Sequence, residues 1–131
     1  MNDKVLIDTS VWIDFFRKRN VDLIEKIRTL LETGKAVYAG IIALELINGA
    51  KGQKELQALN DVFGTMERIE EEKNTHFNAG MMGYELARKG HTLSVVDLLI
   101  AQIAIENDVS LMTFDEHFKI IAKHGRLNLL H

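Results

Sequence analysis

At 131 residues, 47% hydrophobic and 27% charged, the chain has room for one compact domain with a real core and lacks the bias of a disordered segment. The absence of cysteine excludes disulfides, thiolate metal sites and a cysteine nucleophile, and a formal charge of −3 excludes capture of nucleic acid by bulk positive charge. With no apolar stretch long enough to cross a bilayer and no signal-peptide pattern in Met1-Asn2-Asp3-Lys4, a single cytoplasmic domain over 1–131, away from membranes, is expected.

The predicted elements run as follows. Lys4–Asp8 reads as a short buried strand, and Thr9 or Ser10 can cap a helix beginning near Val11 that carries Trp12, Phe15 and Phe16. Helical spacing of Leu23, Ile24, Ile27, Leu30 and Leu31 predicts a helix over Val21–Thr33, stopped by Gly34. Ala36–Ala39 reads as a strand, Ile41–Asn48 as a helix, Gly49–Gly52 as a break, Gln53–Phe63 as a helix and Met66–Ile69 as a short strand. The longest predicted helix covers Glu71–Arg88, where Gly80 and Gly83 mark close packing against a neighbour. Ser94 opens a helix over Val95–Asn107, followed by a strand at Ser110–Met112, a helix at Glu116–Lys123 and a last strand at Leu127–Leu129. Short apolar strands alternating with helices imply an α/β domain with a parallel sheet covered on both faces. Ligand sites in such sheets lie beyond the carboxyl ends of the strands. Asp8 and Asp115 both follow a strand.

Four carboxylates stand in apolar surroundings: Asp8 after Val5-Leu6-Ile7, Glu45 within Ile41–Ile47, Asp97 within Val95–Ala101, and Asp115 after Val109–Phe114. A buried carboxylate is costly unless it is paired, hydrogen-bonded or bound to a cation. Each has a local explanation. Asp8 can satisfy backbone donors in Asp8-Thr9-Ser10, and Asp115 can cap the following helix. Ser94-Val95-Val96-Asp97 fits a capping box, and Lys51 or Lys54 can pair with Glu45. Taken together, the four suit one site for Mg²⁺, or Mn²⁺, which need hard oxygen ligands from several elements. Such an ion lowers the pKa of a bound water and stabilises charge on a phosphodiester.

Other polar residues carry two readings each. Asp14 can look toward the site or pair with Lys18, and Asp61 belongs to a solvated face. Ser10 and Thr113 can steady a ligating carboxylate or serve as cap and strand-end bonds. His117, near Asp115, can touch substrate or serve as a surface residue; His76, His91, His124 and His131 form no metal motif. Trp12 and Phe118 read as packing groups. Arg17, Lys18, Arg19, Lys51, Lys54, Arg88, Lys89, Lys119, Lys123 and Arg126 are phosphate contacts only if the fold gathers some of them.

The ordered segments Val5-Leu6-Ile7-Asp8-Thr9-Ser10-Val11-Trp12, Ile42–Ala50 around Glu45, Val96–Ala101 around Asp97 and Leu111–Phe118 around Asp115 resemble the PIN-domain ribonucleases, in particular the VapC toxins of toxin–antitoxin systems. The resemblance runs over nearly the whole chain. It departs at Phe114, where many relatives have a polar residue, and at Gln102, where a small apolar one is common. The resemblance implies a PIN-like three-layer α/β/α domain with a short-stranded, mainly parallel central sheet. It also implies metal-dependent endonucleolytic cleavage of RNA, leaving a 5′-phosphate and a 3′-hydroxyl. Asp8, Asp97 and Asp115 would hold the principal metal; Glu45 would hold a second metal or orient the attacking water. Relatives form homodimers and are silenced by a VapB-like antitoxin, for which Trp12, Phe15, Leu44 and Ile47 would offer an apolar groove. Rival readings are a PIN nuclease of RNA maturation without an antitoxin, a catalytically silent RNA- or protein-binding module, and an Asp-nucleophile phosphatase. The last lacks the usual second Asp two residues after Asp8.

Overall fold

A computed structural model describes residues 2–130; Met1 and His131, the latter one of the scattered histidines, lie outside the described residues. The elements are β1 (Val5–Ile7), α1 (Thr9–Arg17), α2 (Val21–Glu32), β2 (Ala36–Tyr38), α3 (Gly40–Asn48), α4 (Gln53–Phe63), β3 (Glu67–Arg68), α5 (Thr75–Arg88), α6 (Val95–Glu106), β4 (Ser110–Met112) and α7 (His117–His124). Helices cover both faces of one parallel sheet of order β3-β2-β1-β4, the expected three-layer arrangement. No helix among the described residues is long and apolar enough to cross a membrane.

The sheet explains why its strands are so short yet so apolar. β1 is central, with Val5, Leu6 and Ile7 all buried, and it pairs Leu6 with Val37 on one side and with Leu111 on the other. The chain steps from β1 to β2 and β3 in one direction, then returns to place β4 on β1's other edge. That reversal opens a crevice past the carboxyl ends of β1 and β4, where ligands bind in open α/β sheets.

The structure trims or shifts several predicted boundaries. The first helix begins at Thr9 rather than near Val11, with Asp8 as its N-cap; neither Thr9 nor Ser10 caps it, because both hydroxyls bind carboxylates instead. α5 begins at Thr75, four residues later than expected. Buried Thr75 accepts the Glu72 N–H through its hydroxyl, which closes a turn ahead of the helix and ends the acidic run outside it. The predicted last strand reduces to a single parallel bridge, Leu111 to Leu129, extending the sheet beside β4. The expectation of close packing at the α5 glycines holds for one of them. A Cβ on Gly83 would lie 2.5 Å from Leu98 Cδ1 on α6, whereas one on Gly80 would meet nothing within 4 Å.

Trp12 is fully buried, its ring stacked on Phe16 and edge-on to Phe15 and Phe63, so it packs the core as expected and takes no part in an exposed groove. The other proposed groove residues divide: Phe15 is half-buried, while Leu44 and Ile47 are exposed.

Candidate metal centre

Asp8 is the fixed point of the centre. The β1–β4 ladder continues one residue past Ile7, with the Asp8 N–H donating to the Met112 carbonyl at 2.9 Å, and this sets Asp8 beside Thr113. The Ser10 and Thr113 hydroxyls both donate to Asp8 Oδ2, at 2.7 and 2.8 Å, leaving Oδ1 for another partner. Those hydroxyls also brace the neighbouring loop: Phe114 N–H donates to Ser10 Oγ at 3.1 Å, and Asp115 N–H to Thr113 Oγ1 at 3.0 Å. Asp8, only 5% exposed, is therefore tolerated because hydroxyl donors meet its charge.

Asp97 enters from the first turn of α6. The Ser94 hydroxyl caps that helix by accepting the Asp97 N–H at 3.1 Å, the expected first half of a capping box, and the helix N-terminus favours a carboxylate there. The Asp97 carboxyl is pushed above its ordinary range, first by burial and then by the negative charge of Asp115, with a further contribution from Asp8. The Ser94 hydrogen bond and His117 offset part of that rise.

Asp115 performs two tasks. Glu116 rather than the expected Asp115 is the N-cap of α7, but Asp115 Oδ1 accepts the N–H of the helix's first residue, His117, at 2.9 Å, and the same carboxylate joins Asp97 and His117 in one cluster. One ligand atom from each of these three residues lies within 4.8 Å of the other two. His117 Nδ1 is 3.3 Å from Asp115 Oδ1 and 3.8 Å from Asp97 Oδ2. His117 reads from the sequence as a substrate contact or a surface group. It is exposed, but it also completes this cluster, a placement set by the α6–α7 packing that a two-residue separation from Asp115 only hints at.

Outside that group of three lie Asp8, whose charge still reaches Asp97, and Glu45. Glu45 Oε1 accepts the Thr9 hydroxyl at 2.8 Å, which ties α3 to the residue next to Asp8. The alternative partners Lys51 and Lys54 form no ion pair with it among the described residues. Glu45, Asp97 and Asp115 are all half-buried, so the expectation of buried carboxylates holds in full only for Asp8. Asp14 pairs with Arg17 at 3.5 Å rather than with Lys18, and Asp61 accepts from Gln57 on a solvated face.

The donor set fits a hard divalent cation. Burial raises the Asp97 carboxyl first, the charges of Asp115 and Asp8 add to that rise, and a cation among the three would turn their repulsion of Asp97 into attraction. Their oxygen ligands suit Mg²⁺ or Mn²⁺, with the His117 nitrogen favouring the latter.

Comparison with known proteins bears on what such a centre does. A family model described as the PIN domain matches residues 5–124. Ribonuclease VapC11 of Mycobacterium tuberculosis is 29% identical over 123 residues, covering 91% of this chain and 92% of the relative. The DNA-bound VapBC of Salmonella typhimurium shares the fold at a TM-score of 0.80 and 19% identity, over 98% of this chain and 97% of that one. A member of the VapBC family of toxin–antitoxin systems, VapBC-5 from Mycobacterium tuberculosis, matches at a TM-score of 0.66 and 16% identity, over 100% and 99%.

Proposed function

The chain belongs to the PIN-domain family, and on that premise we propose that it is a metal-dependent endoribonuclease, the toxin of a toxin–antitoxin system. The observation that carries this reading is the meeting of Asp97 and Asp115 beside the hydroxyl-braced Asp8, at the carboxyl ends of β1 and β4. Nothing in local capping requires three carboxylates from three elements to share one crevice.

In this reading Asp8, Asp97 and Asp115 hold a Mg²⁺ ion, for which Mn²⁺ can substitute, and His117 stands as an additional neighbour. The ion supplies charge neutralisation at the phosphodiester and a lowered pKa for its water. The chain's own groups do the rest. Ser10 and Thr113 fix the orientation of Asp8 by holding Oδ2, so the ligand is set before substrate arrives. Glu45, steadied by Thr9, would orient the attacking water or hold a second cation; its place one residue from Asp8 by way of Thr9 supports that role. Hydrolysis of RNA then leaves a 5′-phosphate and a 3′-hydroxyl. A VapB-like antitoxin is the partner expected to silence it, which the VapBC likeness of the fold supports, and a homodimer is the expected assembly. Leu44 and Ile47, exposed on α3 next to Glu45, are the apolar groups on offer to the antitoxin.

The test is cleavage of a panel of transfer and ribosomal RNAs by purified protein freed of antitoxin. Cleavage should require Mg²⁺ or Mn²⁺, stop on adding EDTA, and fall by roughly 10²–10³-fold or more in Asp8→Asn and Asp97→Asn, the scale of losing one electrostatic stabiliser in an active site. Activity that survives EDTA, or that both folded variants retain, would remove the carboxylates from the mechanism.

A further inference from the structure

A second cavity, of about 530 Å³, lies between α1, α3 and α4 and reaches the carboxylate centre through the bonded pair Thr9 and Glu45. Its walls gather cations that are far apart in the chain: Arg17 and Lys18 from the end of α1, Lys51 from the loop before α4 and Lys54 from the first turn of α4. Two carboxylates also line it, Glu45 and Glu55, each tied to a neutral donor rather than to a lysine side chain, so the four cations outnumber the negative charges. Glu45 accepts the Thr9 hydroxyl, and Glu55 accepts the Lys51 backbone N–H at 2.6 Å.

Lys18, Lys51 and Lys54 make no ion pair among the described residues, whereas Lys4, Lys35, Arg68 and Lys119 each sit against a carboxylate. Three lysines without ion pairs, together with Arg17, which pairs with Asp14, repel each other around one cavity, and a bound anion relieves that cost. Between the two cationic walls the cavity is apolar, bordered by Ile13, Phe16 and Leu46. Positive edges flanking an apolar floor match a single strand of nucleic acid, which alternates phosphates with base faces.

We propose that this cleft is the subsite for the RNA strand leading away from the scissile phosphate, with Lys51 and Lys54 on one wall and Arg17 and Lys18 on the other holding backbone phosphates. It rests on the nuclease reading only for the identity of the strand. Because the cleft and the metal centre share no cationic residue, binding and cutting are separable.

The experiment measures fluorescence anisotropy of a labelled, mixed-sequence single-stranded RNA with the full chain, over a range of salt, alongside cleavage kinetics. The Lys51→Ala/Lys54→Ala variant changes two exposed side chains and should fold normally. Lys73→Ala/Lys123→Ala removes the same charge outside the cleft and serves as control. The cleft variant should bind RNA about tenfold more weakly and lose about 0.7 from the salt slope for each phosphate contact removed. Its KM should rise with kcat nearly unchanged. Equal affinity and salt slope in the two double variants would overturn the proposal, as would a cleft variant that fails only to bind an acidic peptide. If the unaltered chain binds RNA in this salt-dependent, lysine-dependent way and never cuts it, the subsite stands and the nuclease reading falls. If it cuts and the cleft variant keeps its KM, the reverse holds.

Discussion

Asp8 and Asp97 approach one crevice from opposite sides, and they are held there by opposite means. On the sheet side, Asp8 is buried and its Oδ2 is met by two hydroxyls, with the β1–β4 ladder continuing beneath it. On the helix side, Asp97 and Asp115 are half-exposed and face each other with like charge. The sheet side is complete before any cation arrives; the helix side is electrostatically unfinished. The proposed centre would fix its first ligand, Asp8, through the fold and leave Asp97 and Asp115 to be drawn in by the ion, so that metal binding would report mainly on the helix side.

The largest effect should come from supplying the cation. Mn²⁺ or Mg²⁺ at about a hundred times its dissociation constant is expected to stabilise the folded chain by about 2.7 kcal/mol. Thermal unfolding with and without EDTA measures it. Asp97→Asn and Asp115→Asn should lose most of that stabilisation. An unchanged midpoint across a metal titration of the parent protein would remove the idea that the helix side is unfinished.

Breaking the sheet side should cost stability with or without metal. Ser10→Ala with Thr113→Val strips Asp8 of both hydroxyl donors and leaves a buried carboxylate oxygen unmet, at a cost of about 1–3 kcal/mol. Urea unfolding in EDTA reads this directly. The two sides are thereby distinguishable: the hydroxyl variant is weak in EDTA, whereas the Asp97 variant is weak only where metal should help.

The same asymmetry decided how much could be read from the sequence. Asp8 was legible because it ends an apolar strand, and the fold class followed from Val5–Ile7, Ala36–Tyr38 and Ser110–Met112 alternating with helical periods. Glu45 stood out because an apolar helix surrounds it, although its bond to Thr9 belongs to the tertiary structure. His117 reads from the sequence as a substrate contact or a surface group but not as part of a metal cluster, because its neighbours there come from α6 and the loop after β4, and no spacing along the chain records that meeting. The start of α5 was placed too early for a related reason. The turn closed by the Thr75 hydroxyl outweighs the helical propensity of Glu71 and Glu72. The gathering of Lys51 and Lys54 with Arg17 and Lys18 likewise depends on the α1, α3 and α4 packing, and in sequence they look like ordinary surface charge.

The finest test of the two-sided picture is a pH dependence of stability. The Asp97 carboxyl lies above its ordinary value of 3.8 in the folded chain, chiefly through burial and the charge of Asp115. A carboxyl raised on folding favours the folded state fully while it is protonated, below the unfolded value. That contribution is lost as pH rises through the folded value. Metal-free Asp97→Asn should therefore be more stable than the parent near neutral pH, by roughly 0.2–1 kcal/mol, the scale of partly exposed charge pairs. The difference should shrink as pH falls through the folded Asp97 value and vanish below the unfolded one. Adding Mn²⁺ should invert the order, since the parent alone regains a ligand for the ion. Denaturant midpoints of both proteins across acid to neutral pH, in EDTA and in Mn²⁺, carry the whole comparison. A variant that is less stable than the parent at neutral pH without metal would mean that Asp97 is already compensated by the fold, and that the helix side is as complete as the sheet side.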